Sequence, residues 1–151
     1  MLERIEQESG TGHKKWHKLR REPRLEYLER VLRERIAVDQ VVYGCFEKPV
    51  PYFLPFIEVL DRGIKASGGD NYVARISVDG IDRQKAKELT NALRARGVML
   101  KLVKSSRDES EPLIRLADMW AGCVRASFDG PGKERDLLDR AEAQGRIRRV
   151  V

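Results

Sequence analysis

The sequence predicts a single α/β domain in which a small, mostly parallel sheet is flanked by helices. Three observations lead there. Segments with apolar residues three and four positions apart alternate along the chain with short strand-like segments, in the order helix, strand, helix, strand, helix, strand, helix. Apolar residues make up 41% of the chain and charged residues 36%, enough for one core beneath a highly charged surface and too apolar for wholesale disorder. At 151 residues the length is that of one ordinary domain, which excludes two independent enzymes. Residues 1–23 read as a basic N-terminal segment, 24–127 as the core, and 128–151 as a C-terminal helix with a basic tail.

The first helix is predicted from Arg24 to Ala37, where Leu25, Leu28, Val31, Leu32 and Ile36 make one apolar face. Val38–Phe46 reads as a strand, and its unbroken apolar run suggests burial on both faces. Tyr52–Lys65 repeats Phe53, Phe56, Ile57, Leu60 and Ile64 at helical spacing, with Pro55 acceptable in the first turn. A turn over Gly68–Asn71 leads into a strand over Tyr72–Asp79, where Ala74, Ile76 and Val78 share one face. Asp82 is placed to cap the next helix, whose inner stripe is Ala86, Leu89, Thr90 and Leu93 and whose stop is Gly97. A strand over Val98–Val103 and a polar loop over Ser105–Ser110 follow. Pro112 opens a helix with Leu113, Leu116, Ala117, Trp120, Ala121 and Val124 at ideal spacing, and a last helix runs from about Lys133 to Gln144. Met1–Gly10, with four charges and no apolar core of its own, is unlike a secretory signal.

Charge and cysteine usage narrow the setting. Thirty Lys and Arg against 24 Asp and Glu leave a net charge of +6, which favours polyanionic partners. The longest uncharged stretch of note, Pro49–Ile57, is broken by three prolines and too short for a membrane span. Cys45 and Cys123 form neither a zinc framework nor a disulfide scaffold, so a cytoplasmic protein with reduced thiols and no membrane partner is expected.

Chemistry is sought at strand ends and in the basic segment. In open parallel sheets functional groups gather at the C-terminal ends of strands, where Asp79 falls, with Glu47, Ser105 and Ser106 at the other tips. Asp118 sits at the border of the apolar stripe of its helix, and Gly122, one turn later, leaves the space beside it open. Two carboxylates so placed are the minimum for holding Mg²⁺ or Mn²⁺. The plain alternative has Asp118 paired with Arg115 or Arg125 and Asp79 capping a turn. Between Gly10 and Arg24, Lys14, Lys15, Lys18, Arg20, Arg21 and Arg24 face a single acid, Glu22, with Trp16 among them. Cations with an interleaved indole suit phosphates and a stacked base, while the same pattern serves a solvated surface with Trp16 as an anchor on the core. His13 and His17, four apart, could share a helix face as zinc ligands or simply extend the basic surface.

The run Ser110-Glu111-Pro112-Leu113-Ile114-Arg115-Leu116-Ala117-Asp118-Met119-Trp120-Ala121-Gly122, after the strand end Val78-Asp79-Gly80, resembles the C-terminal half of the domain-of-unknown-function 3800 family. Lys15-Trp16-His17-Lys18-Leu19 is similar to that family's tryptophan stretch. The resemblance implies a ribonuclease H-like three-layer fold and metal-dependent phosphodiester chemistry, that is, a nuclease or nucleic-acid-processing protein using Mg²⁺ or Mn²⁺. It assigns Asp79 and Asp118 to two of the family's acidic positions, as catalytic residues and metal ligands. In Glu8-Ser9-Gly10, Gln7 stands where the family has Asp, and there is no room for two further strands before Trp16. The chain therefore reads as a shortened or divergent member with an incomplete sheet, for which a homodimer or partner protein over the exposed edge is expected. The competing expectation is a non-catalytic nucleic-acid-binding or assembly module that has lost the acidic site.

Overall fold

The periodicities resolve, in a computed structural model that describes residues 1–37, 41–51, 53–106 and 111–151, into helices and short strands. In chain order these are α1 (Leu2–Glu8), a 3-10 turn (Trp16–Lys18), α2 (Arg21–Arg33), β1 (Val41–Tyr43), α3 (Phe53–Ser67), β2 (Ala74–Asp79), α4 (Arg83–Ala95), β3 (Leu100–Ser106), α5 (Pro112–Ser127), α6 (Lys133–Ala143) and β4 (Ile147–Arg149). Residues 38–40 of the expected first strand, Tyr52, and residues 107–110 of the expected polar loop lie outside the described residues. By its contacts the chain divides into two units. One consists of Met1–Val41 with Asp108–Arg148, the other of Val42–Arg107 with Arg149–Val151.

The first unit is a bundle of α1, α2, α5 and α6. Tyr27, Leu28 and Val31 of α2, Leu116, Met119, Trp120 and Cys123 of α5, and Leu137, Leu138 and Ala141 of α6 form its buried interior. Each large side chain so buried contributes about 1.5–3 kcal/mol relative to exposure. Helix α5 begins at Pro112 as expected, but of its predicted stripe only Leu116, Trp120 and Val124 are buried; Leu113, Ala117 and Ala121 are exposed, and the buried face turns toward Arg115, Met119 and Cys123.

Two helix boundaries differ from expectation, each for a local reason. Helix α2 starts at Arg21, because Pro23 fits inside the first turn, where its missing N–H costs no helical bond. It stops at Arg33, because Arg35 takes φ 55°, and Arg35 N–H then donates to Leu32 O at 3.2 Å and Ile36 N–H to Val31 O at 3.2 Å. An arginine in that conformation is not a stop that composition announces. Residues 2–8 form a helix ahead of the one expected to be first, and Gly10 at φ 74° lets Thr11 N–H reach Glu6 O at 3.0 Å and Gly10 N–H reach Gln7 O at 3.2 Å, closing the last turn.

Helix α1 carries an apolar anchor, Ile5, with no exposed surface, and beside it Glu6, which is buried as well. Arg115 of α5 donates from Nε to Glu6 Oε1 at 2.5 Å and from Nη2 to Oε2 at 2.8 Å, with the two side chains only 4% and 2% exposed. The paired geometry matches the planar guanidinium to the carboxylate. Burial, with the Glu6 charge adding to it, raises the pKa of the neighbouring Tyr27 hydroxyl well above its usual value. Breaking a buried pair leaves one uncompensated charge. Glu6→Gln or Arg115→Met should each lower unfolding stability by about 3–5 kcal/mol in urea titrations, while the double replacement by leucine should cost clearly less than the two single changes combined.

The second unit is mixed α/β. Strands β2 and β3 pair in parallel, Ile76 opposite Val103 and Asp79 opposite Ser106, and α4 connects them. Asp82 caps α4 as predicted, accepting Lys85 N–H at 2.8 Å, and Gly97 ends it. Ile57 of α3, Ile76 and Val78 of β2, Leu89 and Leu93 of α4, and Val98, Leu100 and Val103 around β3 form one core. Arg96 ties the end of α4 to α3, bonding Glu58 at 2.8 Å and Asp61 at 3.4 Å.

Among the described residues the strands form two small sheets where one incomplete sheet was expected. Strand β1 pairs with β4, through Val150 N–H to Tyr43 O at 2.9 Å and Cys45 N–H to Val151 O at 3.4 Å, and β2 pairs with β3. The residues of β1 are half-buried rather than buried on both faces. The basic tail thus supplies a strand.

Candidate nucleic-acid interface

The basic segment belongs to the helical unit, and its centre is pinned. Within the 3-10 turn, Lys18 N–H donates to Lys15 O at 3.0 Å and the following Leu19 N–H to Trp16 O at 3.2 Å. The first N–H of the turn, that of Trp16, has no partner inside it and donates to Asp118 Oδ2 of α5 at 2.8 Å. One helical turn beyond Asp118, Gly122 presents bare backbone to the indole. A Cβ at that position would lie 2.2 Å from Trp16 Cγ, so no larger residue fits without moving the ring. The guanidinium of Arg24 lies over the indole, 4.8 Å from its centroid, and is held there by donating from Nε to Leu19 O at 2.9 Å and from Nη2 to the same carbonyl.

This geometry corrects one reading of Asp118 and Gly122. The space beside Gly122 is not open, because Trp16 occupies it. Nor does Asp118 need Arg115 for balance, since Arg115 is committed to Glu6. Asp118 instead accepts a backbone N–H and holds the turn against α5.

The cations divide into free and engaged. Lys14, Lys18 and Arg20 are exposed on the pinned segment, as are His13 and His17. Lys15 is half-buried and has an interaction of its own. Arg21 is exposed but paired, donating to Glu134 of α6 at 2.8 Å and 2.5 Å, and its guanidinium holds the Glu134 carboxyl below the usual carboxylate range. Burial, reinforced by the same carboxylate, pushes the Cys123 thiol up to about 12, which makes it a space-filling thiol and not a reactive one. Trp16, His17, Arg24, Asp118, Gly122 and Arg125 line most of a shallow groove of about 530 Å³ along α5.

Asp79 lies in the other unit, exposed at the C-terminal end of β2. Next to it, Gly80 N–H donates to Ser106 O at 3.3 Å, and Ser105 is exposed on the neighbouring strand tip. Among the described residues no group of three or more His, Cys, Asp or Glu side chains comes together. Neither Asp79 nor Asp118 therefore belongs to a cluster of three such side chains, short of the several oxygen ligands on which a dedicated hard-cation or two-ion site draws. His13 and His17 are both exposed on the basic segment and are likewise outside any such group.

Comparison with protein-family models, with curated proteins and with solved structures finds no match for this chain.

The roles of Glu6, Arg115 and Gly122 are absent from the sequence reading. One signal was available for Gly122: it stands four residues after Asp118, hence on the same side of α5, so a carboxylate and a bare patch of backbone face the same neighbour. Gly122→Ala should displace Trp16, shift its fluorescence to longer wavelength and destabilise the protein by about 1–3 kcal/mol. Asp118→Ala should loosen the turn, read as faster proteolysis around Lys14–Lys18, whereas Asp118→Asn, which keeps an acceptor for Trp16 N–H, should retain most of the protection.

Proposed function

We propose that this protein is a nucleic-acid-binding module that grips the phosphate backbone with Lys14, Lys18 and Arg20, supported by His13 and His17. The observation that carries this is the bond from Trp16 N–H to Asp118, which fixes a turn whose free cations all remain exposed. A preorganised turn loses less conformational freedom on binding than a flexible basic tail would. Lys15 and Arg21 join at the margins, being already engaged. In anisotropy titrations with short DNA and RNA, affinity should fall steeply with salt and depend little on sequence. Lys14→Glu with Lys18→Glu should weaken every ligand alike and flatten the salt dependence by about two phosphate contacts. Salt-insensitive binding, or none at low salt, overturns the reading.

A second reading keeps the ribonuclease H-like, metal-dependent nuclease. It is favoured by the β2–α4–β3 unit, whose parallel strands put Asp79 at a C-terminal tip. In it, Asp79 and Asp118 are the residues that would hold Mg²⁺ or Mn²⁺. Cleavage abolished by Asp79→Asn or Asp118→Asn in a protein that still binds would establish it over the binding module.

The same proposal includes a second copy of the chain as partner. Among the described residues β2 and β3 pair only with each other, and Val73, Met99 and Leu102 on or beside them are 63%, 49% and 49% exposed. Light scattering should show a dimer at micromolar concentration that Leu102→Asp converts to monomer; a monomeric wild type removes the dimer from the proposal.

A further inference from the structure

The net charge of the chain is not shared between its two units. Val42–Arg107 with Arg149–Val151 holds thirteen Lys and Arg against seven Asp and Glu, whereas the helical unit holds seventeen of each. The whole excess of +6 therefore belongs to the α/β unit, and the basic turn around Trp16 is offset by acids elsewhere in its own unit. A polyanion is drawn by such a net field as well as by local cations.

On α4, Arg83 and Lys87 stand four residues apart, hence one turn above the other, and both are exposed. On α1, α2, α3 and α6 a cation has a carboxylate at that spacing: Arg4 with Glu8, Arg30 with Glu26, Arg62 with Glu58, Arg135 with Asp139. The α4 pair is of like sign, so the two charges repel. Among the described residues neither Arg83 nor Lys87 has an ion pair or a hydrogen bond that would relieve this. The acids nearest in sequence are engaged: Asp82 accepts Lys85 N–H as the helix cap, Glu88 accepts from Gln84 Nε2 at 3.0 Å, and Asp79 has an interaction of its own.

The two cations line a cleft of about 630 Å³ together with Gln84, Ala86 and Thr90 of α4 and Val103 of β3. Among the described residues no carboxylate lines it. Its other polar groups are already bonded within α4, Thr90 Oγ1 donating to Ala86 O at 2.8 Å and Gln84 Nε2 to Glu88. The cleft thus offers the N–H fork of Arg83 and the ammonium of Lys87 beside the small apolar surfaces of Ala86 and Val103. It offers little that could read the edge of a base.

We infer that this cleft is a second phosphate-backbone site, on the α/β unit, where Arg83 and Lys87 engage successive phosphates of a nucleic-acid strand. The inference rests on the nucleic-acid reading above and adds a separate contact surface to it. Two cations one turn apart on a helix suit a ligand whose negative charges repeat along a line, and binding relieves their mutual repulsion. Contact with phosphates adds affinity and salt dependence, not sequence preference.

The test uses the full chain and the double variant Arg83→Gln with Lys87→Gln. Both positions are exposed and glutamine is a good helix former, so circular dichroism should match wild type. In anisotropy titrations at low salt the variant should lose about tenfold or more in affinity for single-stranded and duplex DNA of any sequence, and its salt dependence should flatten by about two phosphate contacts. A control, Lys48→Gln with Arg75→Gln, removes two exposed charges from the same unit outside the cleft and should lose clearly less. An equal loss in the control overturns the inference, because the unit would then act only through its overall field. Tighter binding of poly-L-glutamate than of DNA with the same number of charges, abolished in the Arg83/Lys87 variant, overturns it in favour of an acidic protein partner. If that variant binds DNA as wild type does while Lys14→Glu with Lys18→Glu weakens binding, the cleft inference falls and the reading of the basic turn stands. If wild type binds no nucleic acid at low salt, both fall.

Discussion

Arg115 and Glu6 meet where neither has access to water, and much of the helical unit is organised by that fact. A lone buried charge would cost several kcal/mol, so α1 and α5 are held in one relative register in which both carboxylate oxygens accept from Nε and Nη2 of the guanidinium. Helix α1 is too short to persist without tertiary support, and its place is secured by this pair together with Ile5. Once α1 is fixed, Gly10 turns the chain, and residues 11–20 must lie along α5 to reach the start of α2.

That route places Trp16 over α5, and the interactions there form a chain of dependence. Asp118 satisfies the first N–H of the turn, Gly122 makes room for the indole, and Arg24 covers the ring while bonding the carbonyl that ends the turn. Asp118, Trp16 and Arg24, which could each have carried chemistry, are employed in holding one another. The cations that remain exposed are those with no part in this packing, and the functional reading follows from the division between groups used for structure and groups left over.

Much of the fold could be read in the sequence because its signals were local. Asp82 before α4, Pro112 at the start of α5 and Gly97 as a stop each act within a few residues and appear where expected. What was not legible depends on partners distant in the chain. The ladder between β1 and β4 joins residues more than a hundred positions apart, the Arg35 stop uses a residue with no intrinsic preference for it, and the burial of Glu6 is decided by Arg115. The candidate site shows the same split. Trp16 among cations was visible as a pattern, and its alternative role as an anchor was open, but only contact with Gly122 and Asp118 distinguishes the two.

The helical unit takes its residues from both ends of the chain, and the α/β unit occupies the stretch between them. During synthesis this imposes an order. The segment containing β2, α4 and β3 is contiguous and has its own core once it has left the ribosome, while α1 and α2 emerge first and must wait for α5 and α6. Until Arg115 has been made, Glu6 remains hydrated, and the apolar face of α2 stays uncovered by its later partners. Helices α1 and α2, made before α5 and α6, are therefore among the last elements to reach their final packing, and the interval is one in which a chaperone, or a second nascent chain, has access to Leu28 and Val31.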